Sequence, residues 1–452
     1  MTLARWEIPA NWMWVEARDI ADIVGGGTPP SGDDANFASP GHGMPWIGPA
    51  DLTGYKGTYI SRGRRDLSTQ GIANSGAVIM PKGTVLFSSR APIGYCVIAN
   101  GEVSTNQGFK SLICCAGVTP EYVRHYLRSS VDYVDSLASG TTFREVSGRK
   151  VGDVAFPLCS GREQRRIVAK LDALITRLAR AREELGRAAV LSKMLRHRAA
   201  EVVFGHLNQP KVGWRYLKLR DLLTAGPSNG WSPKSDAGAT GALTLKLTAT
   251  TSGRLRLDDR AVKRIYEVPG EDSKYWLRDG DLLVQRANAL EHVGASAIYH
   301  GPEKTYIYPD LMMRLRFDNP VLTKLVWYQL NSPTGRKYLQ ERATGTAGNM
   351  PKISGSVIRD FPITLPSEVE QKAVAQKLDM AFARADRLEA EATRARALLD
   401  RLEAAILAKA FRGELVPQDP KDEPASVLLD RIRAKRAAAP KPKRGRARKA
   451  VG

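Results

Sequence analysis

Two stretches of the chain place apolar residues with the 4-3 spacing of a coiled-coil seam. In the first, Ile167, Leu171, Leu174, Leu178, Ala181, Leu185, Ala188, Ser192, Leu195, Ala199 and Val202 keep this spacing. In the second, Val374, Leu378, Ala381, Ala385, Leu388, Ala392, Ala395, Leu399, Leu402 and Ile406 keep it. Arg, Glu and Lys fill the outer positions, so each stretch predicts a long helix with one apolar edge. Neither contains Pro, and Gly186 is the only interior Gly, a cost of ~1 kcal/mol. With a rise of ~1.5 Å per residue, forty helical residues extend roughly 60 Å, too far for one domain to cover the seam. The simplest partner for each helix is the other. Each helix leaves one globular part, so an antiparallel pair holding two domains at opposite ends is expected; two independent helices seeking another subunit is the alternative.

Around these helices the pattern changes to short apolar runs. "GAVIM", "TVLFSS", "YCVIA" and "FKSLICC" in the first half, and "ALTLKLT", "DLLVQ", "SAIYH" and "MMRLRF" in the second, read as strands. Short helical patterns precede each long helix ("TPEYVRHYLRSSVDYVDSL", "PVLTKLVWYQLNSPTGRKYL"), and loops such as "GGGTPPSGDD" and "TAGPSNGWSP" separate the runs. Two mixed α/β domains follow. The halves also share words in one order. "WMWVEARDI" matches "WRYLKLRDL", and "KGTVLFSSRAPIGY" loosely matches "DGDLLVQRANALEHVG", with Arg90 and Arg286 in corresponding places. "YLRSS" matches "QLNSP", "EQRRIVAKLDAL" matches "EQKAVAQKLDMA", and "AEVVFGHL" matches "AKAFRGEL". Gly140–Leu158 and Gly345–Leu365 each open on Gly-Thr, carry a Ser-Gly pair (Ser147-Gly148, Ser354-Gly355) and close on Phe-Pro. The chain is a tandem duplication of a domain-sized unit, far longer than a solenoid repeat.

Charge narrows the function. Lys and Arg number 68 against 47 Asp and Glu, a net charge of +21, which points to a polyanion, because each neutralised phosphate releases counterions. No apolar run approaches the ~18 residues that span a bilayer, and the opening "MTLARWEIPANW" lacks a signal-peptide pattern; a cytosolic protein is expected. Cys96, Cys114, Cys115 and Cys159 have no zinc-type spacing, and Cys114-Cys115 reads as part of an apolar strand. The tail Ala437–Gly452 is basic, Pro-interrupted and of low complexity, and is expected to be disordered.

Signals for catalysis are missing from the sequence. No D/N-P-P-aromatic tetrapeptide is available to grip a flipped adenine. "GGGTPP" lacks the terminal G-K-S/T of a phosphate loop, and the six histidines show no H-x-x-x-H pair. Signals for DNA contact are present. Arg62, Arg64 and Arg65 lie in the polar run "ISRGRRDLS"; Arg90 and Lys110 border Gly-rich turns where backbone could approach DNA; Arg286 follows a strand, with Asn288 just beyond it. Arginine suits both phosphates and guanine, and Asn106-Gln107 has the amides that read adenine, although an amide satisfying a tight turn is the commoner use.

The ordered set "GGGTP", "MPWIGPADL", "GTVLFSSRAPIGY", "STNQGFKSLI", "EQRRIVAKLD", "GDLLVQRANALEHVG", "FPITLPSEVEQKAVAQKLD" and "AILAKAFRGEL" resembles the specificity subunit of type I restriction–modification systems. The likeness covers nearly all of the chain except the basic tail. It implies a target-recognition domain over 1–158, a spacer helix over 159–208, a second target-recognition domain over 209–365, a second spacer helix over 366–412 and a C-terminal extension over 413–452. It further implies double-stranded DNA as ligand, two adenine methyltransferase subunits docked on the helices, and two motor–nuclease subunits where the system also restricts. S-adenosylmethionine, ATP and Mg²⁺ then belong to those partners, and this chain binds no cofactor and catalyses nothing itself. Gly27–Val78 has no visible counterpart in Gly226–Ser273, so two unlike half-sites are expected. A scaffold that binds nucleic acid by charge alone is the alternative.

Overall fold

The structure is a computed structural model, which describes residues 4–140, 144–205, 211–345 and 350–438. Five principal helices order the chain: α1 (Pro120–Ser129), α2 (Gly161–Phe204), α3 (Pro320–Asn331), α4 (Glu368–Phe411) and α5 (Ala425–Ala438). Two compact units form. The first comprises the residues up to Glu183 and from Arg396 onward; the second comprises Glu184–Ala395. Both long helices therefore belong in part to each unit.

The first unit is built on a five-stranded sheet of β1 (Ala21–Gly25), β2 (Tyr59–Ile60), β3 (Val85–Ser89), β4 (Ile93–Ala99) and β5 (Lys110–Cys114), in the order β1-β5-β3-β4-β2. Neighbours are antiparallel except β2, which lies parallel to β4 at the edge. The run "TVLFSS" is buried throughout because both faces of β3 are covered. Val85 and Phe87 point into a core with Tyr122 and Tyr126 of α1, while Leu86 points into another with Ile47, Leu52 and Ile60.

The second unit repeats the plan with β6 (Ala225–Asn229), β7 (Leu282–Gln285), β8 (Ser296–Ile298) and β9 (Met312–Arg316) in the order β6-β9-β7-β8. Leu282 and Val284 face Leu325 and Tyr328 of α3; Leu283 faces Leu245, Tyr299 and Tyr308.

The repeated words meet one another. In the first unit Met13–Glu16 pairs antiparallel with Ala155–Leu158, and in the second Arg215–Lys218 pairs with Pro362–Leu365. Each copy is thus closed by a ladder between its first tryptophan word and its final Phe-Pro word. The Ser-Gly pairs have a separate task. Ser147 and Ser354 cap short helices, their hydroxyls accepting from the backbone N–H of Lys150 and Val357.

Within each unit the long helices pack antiparallel. In the first, Ile167, Leu171 and Leu178 of α2 share a core with Ile406 and Ala410 of α4, and Arg182 donates to Glu403 at 2.6 Å and Asp400 at 2.7 Å. In the second, Ala200 and Phe204 of α2 share a core with Ala375 and Leu378, and Arg196 donates to Asp386 at 2.7 Å and Glu389 at 2.8 Å. The expected seam needs one correction. In α4 the buried apolar positions are Ala375, Leu378, Ala385, Ala392, Ile406, Ala410 and Phe411, so at Val374 and Leu402 the inward position falls one residue later than the pattern suggested. Val374 is half-buried, and Leu388 and Leu402 turn outward, 36% and 48% exposed. A seam lined by Ala lets the helices approach closely, and Glu389 and Glu403 turn toward the arginines of α2 where the larger Leu side chains were expected. In α2, Leu174, Leu185 and Leu195 are half-buried and Val202 is exposed.

Helix α5 was not anticipated. Ala425, Leu428, Leu429 and Ile432 are buried in the core of the first unit, and Arg436 donates to the carbonyl of Arg18 and to Asp22. The connection from α4 is also tied down. Gln418 donates to Glu163 at 2.6 Å and Arg166 donates to Asp422 at 2.7 Å. Most of the low-complexity tail lies outside the described residues.

Candidate nucleic-acid interface

The glycine-rich loop after β1 is shaped by the protein rather than left open for a ligand. The N–H of Gly27 donates to the carbonyl of Thr105 at 2.9 Å, and the Trp46 indole N–H donates to the carbonyl of Gly27 at 3.0 Å. A Cβ at Gly26 would lie 1.9 Å from the carbonyl oxygen of Asn106, so glycine is required there by the close approach of two backbones. The space beside Gly26 is filled by the chain's own backbone.

This packing assembles a continuous polar strip. Asn106 accepts from the N–H of Gly108 at 2.9 Å, the turn-satisfying use of an amide. Exposed Gln107 accepts from the hydroxyl of Thr28. Lys110 donates to the carbonyl of Gln107 at 3.1 Å and to Glu145 at 3.0 Å, and Arg90 donates to the other oxygen of Glu145 at 3.5 Å. Asn106 also connects toward the arginine cluster, since its N–H donates to Ile47, and the neighbouring Gly48 donates to Asp51.

The arginine cluster divides. Arg62 is paired with Asp66, whose buried carboxylate also accepts from Gly41 and Gly43. Arg64, 77% exposed, stands 3.7 Å from Asp51. Arg65 opens a strand (Arg65–Leu67), not a loop, and its guanidinium lies 4.2 Å above the ring of Phe37 with no carboxylate partner among the described residues. Arg65 and Arg64 are the cations least committed to the fold.

In the second unit the main-chain bonds place the candidates differently from the sequence match. Ser89 donates to Gly108 and Val146 donates to Ser89; Arg286 donates to Leu311 and Ile353 donates to Arg286. Arg286 therefore corresponds to Ser89, and Arg90 corresponds to Ala287, whose bridge to Lys352 mirrors that of Arg90 to Glu145. The two arginines are one residue out of register. Arg286 is half-buried and has no ion pair among the described residues. Asn288 is spent on the fold: it donates to Gln285 and accepts from Ala289, both at 2.7 Å. The sequence reading passed over Glu145 and Lys352, which occupy one equivalent position with opposite charge.

Burial pushes the thiols of Cys96 and Cys114 up to about 12, which keeps them protonated and unreactive. His125 is buried with one ring nitrogen 2.9 Å from Asp172 and the other without a partner; loss of hydration holds its pKa below the usual value, against the pull of Asp172. Among the described residues no group of three or more His, Cys, Asp or Glu could hold a metal, and no helix is long and apolar enough to cross a membrane.

Comparison with known proteins agrees with this geometry. Residues 9–185 match the type I restriction modification DNA specificity domain. The type I restriction enzyme MjaIX specificity subunit of Methanocaldococcus jannaschii is 35% identical over 189 residues, 41% of this chain and 43% of that one, so this chain spans less than half of that relative. The EcoKI specificity subunit of Escherichia coli K12 is 27% identical over 353 residues, 72% of this chain and 75% of that one. Among solved structures, a chain from work on complex assembly and conformational transition of the type I R-M system aligns with a TM-score of 0.71 at 22% identity, over 91% of this chain and all of that one. The HsdS subunit of Thermoanaerobacter tengcongensis aligns with a TM-score of 0.54 at 20% identity, over 92% of this chain and all of that one. Residues 9–185 thus carry a type I restriction modification DNA specificity domain, and the chain as a whole shares the fold of the HsdS subunit.

Proposed function

We propose that the chain reads an asymmetric, bipartite DNA target and carries two adenine methyltransferase subunits to it, joined by two motor–nuclease subunits where the system also cleaves unmodified DNA. The chain binds and positions; S-adenosylmethionine, ATP and Mg²⁺ serve the partners. The two long helices act as a ruler between the heads. Two modest DNA contacts on a stiff spacer gain affinity together only when the half-sites are correctly separated.

One observation carries the reading. The framework of the heads is duplicated down to its caps and closing ladders, while equivalent positions differ in charge and exposure: the partly exposed Arg90, Lys110 and Glu145 of the first head correspond to buried Ala287, buried Met313 and exposed Lys352 in the second. Like frames with unlike surfaces fit unlike half-sites. The test is adenine methylation mapping in the native genome, where a single split motif is expected. Lengthening its gap by one base pair should abolish methylation of that site, and indifference to gap length would refute the ruler. Equal binding to random and target duplex would return the chain to a scaffold that binds by charge alone.

A further inference from the structure

The two heads treat the edge of the main sheet differently. In the first, β2 covers the edge of β4: the N–H of Ile98 donates to the carbonyl of Thr58 and that of Asn100 to Ile60, both at 2.9 Å. In the second, Ile298 of β8 stands where Ile98 stands, since Leu282 faces Ile298 as Val85 faces Ile98. Its main-chain N–H and C=O point away from β7, because Tyr299 and Ala297 make the bonds on that side. Among the described residues nothing accepts from or donates to this outward pair. The edge is closed only at Ser296, whose main chain is held by the side chains of Asn331 and Trp327.

Beside Ile298 lies a pocket of about 450 Å³ lined by Leu255, Leu257, Ile298 and Trp327 together with Gly253, Arg254, His300 and Lys324. The segment holding Leu255 and Leu257 precedes the strand Val262–Arg264 as Thr58 and Ile60 precede the strand Arg65–Leu67. In the first head that segment is β2 and bonds to the sheet. In the second it stands off, and the pocket occupies the gap. An unpaired sheet edge beside an apolar pocket is the arrangement that accepts an added strand.

Charge indicates what such a strand carries. Glu121 of α1 accepts from the Tyr59 hydroxyl of β2. Lys324 of α3 stands in the place of Glu121, each being four residues before the side chain that meets the long helix, Tyr328 on Asp379 and His125 on Asp172. Where the first head presents an acceptor to its own strand, the second presents a cation, shared with Asp379 at 2.9 Å.

We propose that the open edge at Ile298 receives a short extended segment of a partner polypeptide, parallel to β8, with an apolar side chain in the pocket and a carboxylate toward Lys324. This rests on the reading of the chain as a subunit of a methyltransferase complex. The test is amide hydrogen exchange across residues 297–300 in the full chain, alone and assembled with the methyltransferase subunit of its own system. At least tenfold slower exchange on assembly is expected. Ile298→Pro, which removes the outward N–H at an edge position where proline is tolerated, and Lys324→Ala should each weaken assembly at least tenfold at a temperature where the variant chain keeps the circular dichroism of the folded parent. A complex that forms with no protection of 297–300 overturns the proposal and leaves the recognition reading standing. Protection in the chain alone that grows with its concentration overturns it in favour of a second copy. Failure of any complex to form refutes the recognition reading itself, and this inference with it.

Discussion

Glu145 holds two of the cations that the sequence offers for DNA contact. It receives Lys110 at 3.0 Å and Arg90 at 3.5 Å, all three side chains being at least partly exposed. An ion pair in this setting contributes only ~0–1 kcal/mol to stability, so Glu145→Gln should leave the fold intact while removing the competitor for both cations. Each phosphate contact adds about 0.9 to the steepness with which log affinity falls against log salt. If both cations transfer to DNA, the slope for random duplex steepens by about 1.8, and the variant loses roughly twelvefold more affinity than the parent between 50 and 200 mM salt.

The assay is fluorescence anisotropy of the full chain on random-sequence duplex across that salt range. Tighter binding at 50 mM and a steeper slope are expected in Glu145→Gln, with Arg90→Ala in the same background restoring about half of the difference. Affinity for target duplex should rise less, so the ratio of specific to random binding falls. An unchanged or shallower slope, with the melting temperature preserved, would show that Arg90 and Lys110 do not face DNA.

Other outcomes follow from the same geometry. Ser147→Ala and Ser354→Ala each remove a cap and should cost ~1 kcal/mol in urea unfolding. Glu163→Ala leaves the Trp12 indole N–H, which donates at 2.9 Å, without its acceptor and takes one of two acceptors from the Gln418 amide, which keeps the Gly413 carbonyl; a loss of ~1–3 kcal/mol is expected by the same measurement. Because burial lowers the pKa of His125 in the folded state, the unfolded chain takes up its proton first as pH drops. Its contribution to stability is therefore complete above the ordinary histidine pKa of ~6.5 and declines below it; the melting temperature of His125→Gln should show less acid sensitivity than the parent between about pH 6.5 and 5.

The frame of each head was legible because its parts are local or periodic. Apolar runs marked β3, β5, β7 and β9, and the 4-3 spacing marked both long helices. Its finer setting was not, since choosing between Val374 and Ala375, or between Leu402 and Glu403, depends on how near the partner helix comes. Hydrophobicity favours the larger residue; close approach buries the smaller one and turns Leu402 outward. Helix α5 does have a signal in the sequence, since Leu428, Leu429 and Ile432 form one helical face in "ASVLLDRIRAKRAA", but the basic residues that follow give the segment the composition of a disordered tail.

The candidate surface was less legible, for a reason that duplication itself explains. Matching words between copies works where both copies must build the same ladder or cap, and it fails where insertions separate those words. Arg90 lies seven residues past Gly83, and Arg286 six past Gly280; the shared residue type suggested equivalence that the main-chain bonds deny. Counting back from the capping serines does work, because no insertion intervenes: Glu145 and Lys352 each lie two residues before Ser147 and Ser354. That reversal of charge sits inside the most strongly repeated phrase of the chain. A position whose main chain is held in the same bridges in both heads, while its side chain is free to change sign, offers one frame two different surface chemistries.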